Sequence, residues 1–254
     1  MSPNSEVRLQ KPTPHKILSK KELHKTATER VELIAKEFTD GFRFIEDYPR
    51  SVTFFGGARF TENSPYYKKA QSISNRIAKE LKYAVFSGGG PGIMEAANRG
   101  AFEVGGDSLG LTIELSHEQT KNSYLTGDKD FYYFFSRKVL LSFSAESYIF
   151  MPGGFGTLDE FFEILTLVQT NKIESVPIIL VGSDFWKPLD EFIKRELLGR
   201  DTIDENDLNL YTITDDEDEI LKIIRNAPIR NGLEFTHKDL EKHGLIIEPK
   251  KIVL

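Results

Sequence analysis

The chain contains no cysteine. That excludes structural disulfides, thiolate nucleophiles and cysteine-ligated zinc or iron–sulfur sites, and it is compatible with a cytoplasmic location, which we expect. Long apolar runs are also missing. The N-terminus, Met1-Ser2-Pro3-Asn4-Ser5, lacks the apolar stretch of a signal peptide, and nothing reaches the roughly 20 apolar residues of a membrane span. Nor is there an excess of positive charge: 33 Lys and Arg stand against 39 Asp and Glu, a formal net charge of −6. A general nucleic-acid binder needs the opposite balance, so any anion site must be local. The five histidines show no metal-ligand spacing, with His117 alone in a loop.

What is present is enough apolar content, 39% over 254 residues, for a sizeable core. Residues 1 to about 19 read as a loose polar arm. Leu23, Ala27, Val31, Ile34, Phe38, Phe42 and Ile45 then recur at helical spacing, which predicts an amphipathic helix from Lys20 to about Asp47 that packs on the following domain or on a second subunit. After Pro49, short apolar runs alternate with amphipathic stretches. Strands are expected at Val52–Phe55, Tyr83–Phe86, Leu109–Leu115, Phe131–Phe135, Tyr148–Met151 and Val176–Val181. Helices are expected between them, one opened by Ser64-Pro65 as N-cap and first-turn proline. The pattern predicts an α/β fold: a doubly wound, mostly parallel sheet with helices on both faces, plus the N-terminal helix. The expected division is 1–48 for arm and helix, 49–230 for the doubly wound domain and 231–254 for a C-terminal extension. Asp215 to Glu219 reads as the acidic start of a terminal helix through Arg225.

Ligands of such sheets bind at the carboxyl ends of the strands, and two glycine-rich turns sit there. Ser87-Gly88-Gly89-Gly90-Pro91-Gly92 follows one strand, and Pro152-Gly153-Gly154-Phe155-Gly156-Thr157 follows another. Such turns let the backbone approach an anion and offer free helix N–H groups; the alternative is a tight βα turn. Neither matches G-x-x-x-x-G-K-[ST] or G-x-G-x-x-G, so a ligand with one phosphate suits them better than a triphosphate or dinucleotide. Glu114, at a strand end, keeps a dinucleotide-binding oxidoreductase as a rival.

Thr157-Leu158-Asp159-Glu160 reads as a capping box, with Thr157 as N-cap and Glu160 reaching back. Arg137 and Lys138 open the preceding expected helix. There a cation opposes the macrodipole by about 0.3–1 kcal/mol unless an anion compensates; the alternative is an ion pair with Glu160 or Asp159.

Taken together, Pro152 to Glu160, Arg137-Lys138 and the Ser87–Gly92 loop resemble the LONELY GUY family of cytokinin riboside 5′-monophosphate phosphoribohydrolases. Its bacterial members carry the label "possible lysine decarboxylase", and its motif is P-G-G-x-G-T-x-x-E. The resemblance covers roughly residues 51–181. It implies a Rossmann-like fold, a homodimer or higher oligomer, and cleavage of a nucleoside 5′-monophosphate to free base and ribose 5-phosphate. By the same resemblance, Glu160 and Arg137 are the expected catalytic residues. Gly153, Gly154, Gly156 and Thr157 are expected to bind the phosphate, joined by Lys138 and by Gly88, Gly89, Gly90 and Gly92 of the first loop. Pro91 and Glu95 depart from the plant pattern, and Glu95 is a candidate second carboxylate. The chemistry needs no metal or organic cofactor. Two further rivals are a non-catalytic nucleotide or pterin-cofactor carrier and a pyridoxal-phosphate decarboxylase. Lys138 is the only lysine near the site for a Schiff base.

Overall fold

The structure, a computed structural model, describes residues 19–114 and 121–227. The expected N-terminal arm, His117 and the C-terminal extension lie outside the described residues.

Helix α1 (Lys20–Glu46) starts on a full capping box: Ser19 accepts the Glu22 N–H, and the Glu22 carboxylate accepts the Ser19 N–H at 2.8 Å. Its apolar stripe divides. Phe38, Phe42 and Ile45 pack on the body, whereas Leu23 and Val31 stay 55% and 64% exposed. The expectation that α1 docks on its own domain therefore holds for its C-terminal half.

Seven strands, β1 (Ser51–Phe55), β2 (Ala84–Ser87), β3 (Ser108–Ile113), β4 (Gly127–Phe131), β5 (Ser147–Phe150), β6 (Ile178–Leu180) and β7 (Thr212–Ile213), form one sheet in the order β4-β3-β2-β1-β5-β6-β7. Every pairing is parallel. Successive residues point to opposite faces, and both faces are covered. Phe55, Phe86, Tyr148 and Phe150 meet α1, α4 (Phe134–Phe143), α5 (Phe155–Gln169) and α6 (Ser183–Phe192) on one side. Val52, Phe54, Val85 and Ile149 meet α2 (Pro65–Arg76), α3 (Ile93–Phe102) and α7 (Glu217–Asn226) on the other. The expected doubly wound fold is thus present. Ser64 caps α2 with Pro65 in the first turn, and Asp216 caps α7.

Three local expectations are corrected. The strand placed at Phe131–Phe135 ends at Phe131, and Phe134 and Phe135 already belong to α4. This strand, β4, is an edge strand of sequence Gly-Asp-Lys-Asp-Phe with alternating exposure, so it lacks the apolar signature of a buried strand. Arg137 and Lys138 consequently lie one turn inside α4, whose first turn closes through Arg137 N–H to Tyr133 O at 3.3 Å. The macrodipole penalty, confined to the first turn, does not apply to them at full strength. Finally, α5 starts at Phe155 with Gly154 as N-cap, and Leu158 N–H closes its first turn on Gly154 O at 3.1 Å. Thr157 is therefore inside the helix, and Glu160 is not the return arm of a capping box. The short strand β7 has no counterpart in the sequence pattern.

Candidate active site

The chain builds outward from β1 through β2 and β3 to β4, then crosses back to place β5 on the other flank of β1. The direction of winding reverses between β1 and β5, and the loops leaving their carboxyl ends must part to form a crevice. Gly56-Gly57 leaves β1 and Pro152-Gly153-Gly154 leaves β5. Gly57 N–H donates to Pro152 O at 2.9 Å, while Gly57 O accepts the Ile93 N–H at 3.1 Å, so one residue ties both glycine-rich turns together. The close approach demands glycine: a Cβ on Gly56 would lie 2.5 Å from Ile93 Cγ2, and one on Gly57 2.8 Å from the Phe60 ring. The sequence pattern does not single out this pair as a ligand turn. It stands directly after a strand, but only the strand order shows that this strand borders the crevice.

The two turns singled out by sequence differ in character. Gly88, Gly89 and Gly90 are buried and held by a polar cluster. Ser87 Oγ donates to Asn98 Oδ1 at 2.6 Å and accepts the Gly89 N–H at 2.9 Å; Asn122 donates to Gly89 O and Gly90 O at 2.9 and 3.1 Å. Gly89 and Gly92 adopt φ of 69° and 72°, the left-handed region glycine tolerates. A Cβ at Gly88 would stand 2.2 Å from Arg137 Nη2, so this glycine makes room for a protein cation. The second turn is open. Gly154 and Gly156 have no heavy atom near where a Cβ would sit, and α5 begins without a side-chain cap. Its first N–H groups face outward as orphan donors at the positive end of a 15-residue helix. The buried Thr157 hydroxyl makes no hydrogen bond among the described residues.

Glu160 follows Thr157 by three residues and Gly156 by four, which places it over the same helical face about 5–6 Å away. It is half-buried, and burial pushes its carboxyl up to about 7, against the opposing pull of Arg137. No cation lies within 4 Å of it among the described residues. Arg137 is 7% exposed; its Nε donates to Leu111 O at 2.6 Å and its Nη2 to Gly88 O at 3.5 Å, with the Phe134 ring 5.9 Å away. Burial lowers its pKa, and the field of Glu160 works the other way. A buried guanidinium satisfied only by carbonyls keeps its full charge available to an incoming anion or oxygen.

Lys138 points elsewhere, pairing with Asp159 at 2.8 Å and Glu163 at 3.4 Å across α4 and α5. The alternative of an ion pair is what the structure shows, with Asp159 and Glu163 as partners. Glu95, in the first turn of α3, accepts the Tyr67 hydroxyl at 2.9 Å. Glu114 is exposed beyond β3. The glycine turn it would serve as a ribose carboxylate follows β2, one strand removed from the reversal point, which is not where a dinucleotide fold places it. No cluster of three His, Asp or Glu among the described residues could hold a metal ion, and none of their helices is long and apolar enough to cross a membrane.

Comparison with known proteins converges on one family. The model of a family described as "possible lysine decarboxylase" matches residues 94–224, just over half of the chain. A cytokinin riboside 5′-monophosphate phosphoribohydrolase of Rhodococcoides fascians is 28% identical over 153 residues, 58% of this chain and 75% of that protein. A protein of the same name from Arabidopsis thaliana is 26% identical over 58% of this chain and 68% of its own length. Among solved structures, the structural-genomics target TM1055 superposes with a TM-score of 0.54 at 23% identity, covering 69% of this chain and 98% of its own. The molybdenum cofactor carrier protein of Chlamydomonas reinhardtii does so with 0.51 at 18% identity, covering 69% and 96%. At these identities the two structures establish the fold alone.

Proposed function

This chain belongs to the possible lysine decarboxylase family, and from that premise we propose that it hydrolyses the N-glycosidic bond of a nucleoside 5′-monophosphate, releasing free base and ribose 5-phosphate. The observation that carries the reading is the pairing of an open, uncapped helix start at Gly154–Thr157 with the carboxylate of Glu160 one turn further along the same helix. A phosphate on the N–H groups of Gly156 and Thr157 leaves the attached ribose within reach of Glu160. The relatives named for this activity, at 28% and 26% identity, support the same substrate class.

In the reaction, the bond from C1′ to the base nitrogen breaks, water adds to C1′, and its proton goes to the departing base. Positive charge develops on the sugar as the bond lengthens, so an ionised Glu160 stabilises the transition state electrostatically and accepts the proton of the attacking water, which then passes to the base nitrogen and regenerates the carboxylate. Arg137, cationic and held by the carbonyls of Leu111 and Gly88, orients the nucleotide beside Glu160. The glycines of the second turn and Thr157 hold the phosphate, and the buried first turn, Gly88 to Gly92, shapes the wall and seats Arg137. Lys138 acts through its pairs with Asp159 and Glu163, and Glu95 stands as a more distant carboxylate. Phe155 at the start of α5 and Phe134 and Phe135 at the start of α4, exposed by 93%, 55% and 48%, are apolar surface that a second copy of the chain would cover in a homodimer.

A panel of nucleoside monophosphates incubated with the full chain tests the reading. Equimolar base and ribose 5-phosphate are expected, with turnover lost in Glu160→Gln. A monophosphate retained through purification without release of base would replace the hydrolase with a carrier.

A further inference from the structure

The net charge of −6 requires any anion site to carry its own cations, yet the lysine of the Arg-Lys pair is neutralised by Asp159 and Glu163. Arg137 lies buried against backbone carbonyls. Of the residues recognised in the sequence, only Arg137 keeps a charge not taken up in an ion pair, and a phosphate dianion at the start of α5 calls for a second cation. The turn after β1 supplies one. Ala58 and Arg59 follow Gly57, the residue that bridges the two glycine-rich turns. A Cβ on Gly92 would lie 2.6 Å from the Ala58 carbonyl carbon, and one on Gly57 3.4 Å from Gly153 Cα. The backbone of Arg59 is thus one residue from the first turn and two from the second. Arg59 is exposed and forms no hydrogen bond or ion pair among the described residues. The acid nearest it in sequence, Glu62, is engaged by Arg99 at 2.8 Å.

We infer that Arg59 is a substrate-binding residue that engages the phosphate held at the start of α5, closing the crevice between the β1 and β5 loops. This deepens the phosphoribohydrolase reading and rests on it. A guanidinium offers a planar pair of donors to two phosphate oxygens, a geometry an ammonium does not reproduce. Because the unliganded side chain has no partner, its removal leaves the folded protein's internal contacts unchanged.

Titration of the full chain with ribose 5-phosphate and with unphosphorylated ribonucleoside tests the assignment in wild type, Arg59→Ala and Arg59→Lys. Loss of a charge-assisted bond predicts ribose 5-phosphate binding weakened about 10- to 100-fold in Arg59→Ala, with Arg59→Lys in between. Nucleoside affinity and melting temperature should not move. In turnover the loss should fall on KM for the monophosphate, with kcat kept within a few fold. Wild-type hydrolysis together with ribose 5-phosphate affinity in Arg59→Ala within twofold of wild type overturns the role of Arg59 and leaves the hydrolase standing. A wild-type chain that neither binds ribose 5-phosphate nor releases base overturns both.

Discussion

Replacing Glu160 by glutamine removes an ionisable group while keeping its shape, and the structure assigns that change a pH-dependent effect on stability. In the folded chain, burial holds the carboxyl at about 7 against its ordinary 4.5. The folded state therefore keeps a proton that the unfolded chain releases between these two values. Stability from this group is complete below pH 4.5, declines as pH rises, and is lost above about 7. At roughly 1.4 kcal/mol per pH unit the full span amounts to about 3 kcal/mol. The accessible edge of Glu160 reduces this to about 2 kcal/mol. Glutamine carries no such penalty, so Glu160→Gln should melt about 4–8 °C above wild type at pH 8, with the difference shrinking toward zero near pH 4.5. Thermal melts of both proteins from pH 4.5 to 9 read this directly. Turnover provides the matching signature: wild-type kcat/KM should rise with unit slope to a plateau above about pH 7, as the carboxylate ionises, and Glu160→Gln should lose on the order of 100-fold or more. A stability offset independent of pH, or a variant that melts below wild type at pH 8, would refute the placement of Glu160 in a desolvating crevice. The expected outcome is a trade of stability for a carboxylate poised to act.

Other perturbations probe the surroundings. Gly88→Ala drives a methyl group to 2.2 Å from Arg137 Nη2 and 2.7 Å from Met94 Sδ; displacement of the guanidinium should lower kcat at least tenfold, with a stability loss of about 1–3 kcal/mol, both measurable on one preparation. Lys138→Met removes a cation that lowers the Glu160 pKa, so the inflection of the pH–rate profile should move upward; an unmoved inflection would disconnect Lys138 from the site. Gly100→Ala places a Cβ 2.2 Å from the Gln71 carbonyl oxygen where α2 and α3 cross, and backbone cannot yield as a side chain does. A loss of about 3 kcal/mol is expected, seen as a melting temperature lower by about 6–12 °C, with activity per folded molecule retained.

Much of this was legible along the chain. Buried strands such as Ser51–Phe55 and Ser147–Phe150 announce themselves as apolar runs, because both faces of a parallel sheet are covered and every position is selected for packing. The edge strand Gly127–Phe131 did not, since one open edge and alternating exposure let polar residues in. The two-residue β7 offers too short a window for any periodicity. At the site, the segment Pro152–Glu160 stands out by composition. Its capping arrangement is not legible there, because Thr157 looks like a cap in sequence while the helix closes on Gly154.

By itself the sequence determined the alternation of strand and helix, the two glycine-rich turns, and the presence of Glu160 and Arg137 within the stretch that the family model matches. These are local properties, written in spacing and side-chain chemistry. Only the tertiary structure decided how they combine. Strand order places Gly56-Gly57 at the reversal of winding, packing buries the first turn around Arg137 and leaves the second open, and desolvation sets the carboxyl of Glu160 near 7. Each of these depends on which distant segments become neighbours, and both a pKa and a crevice are properties of neighbours in space rather than of residues in line.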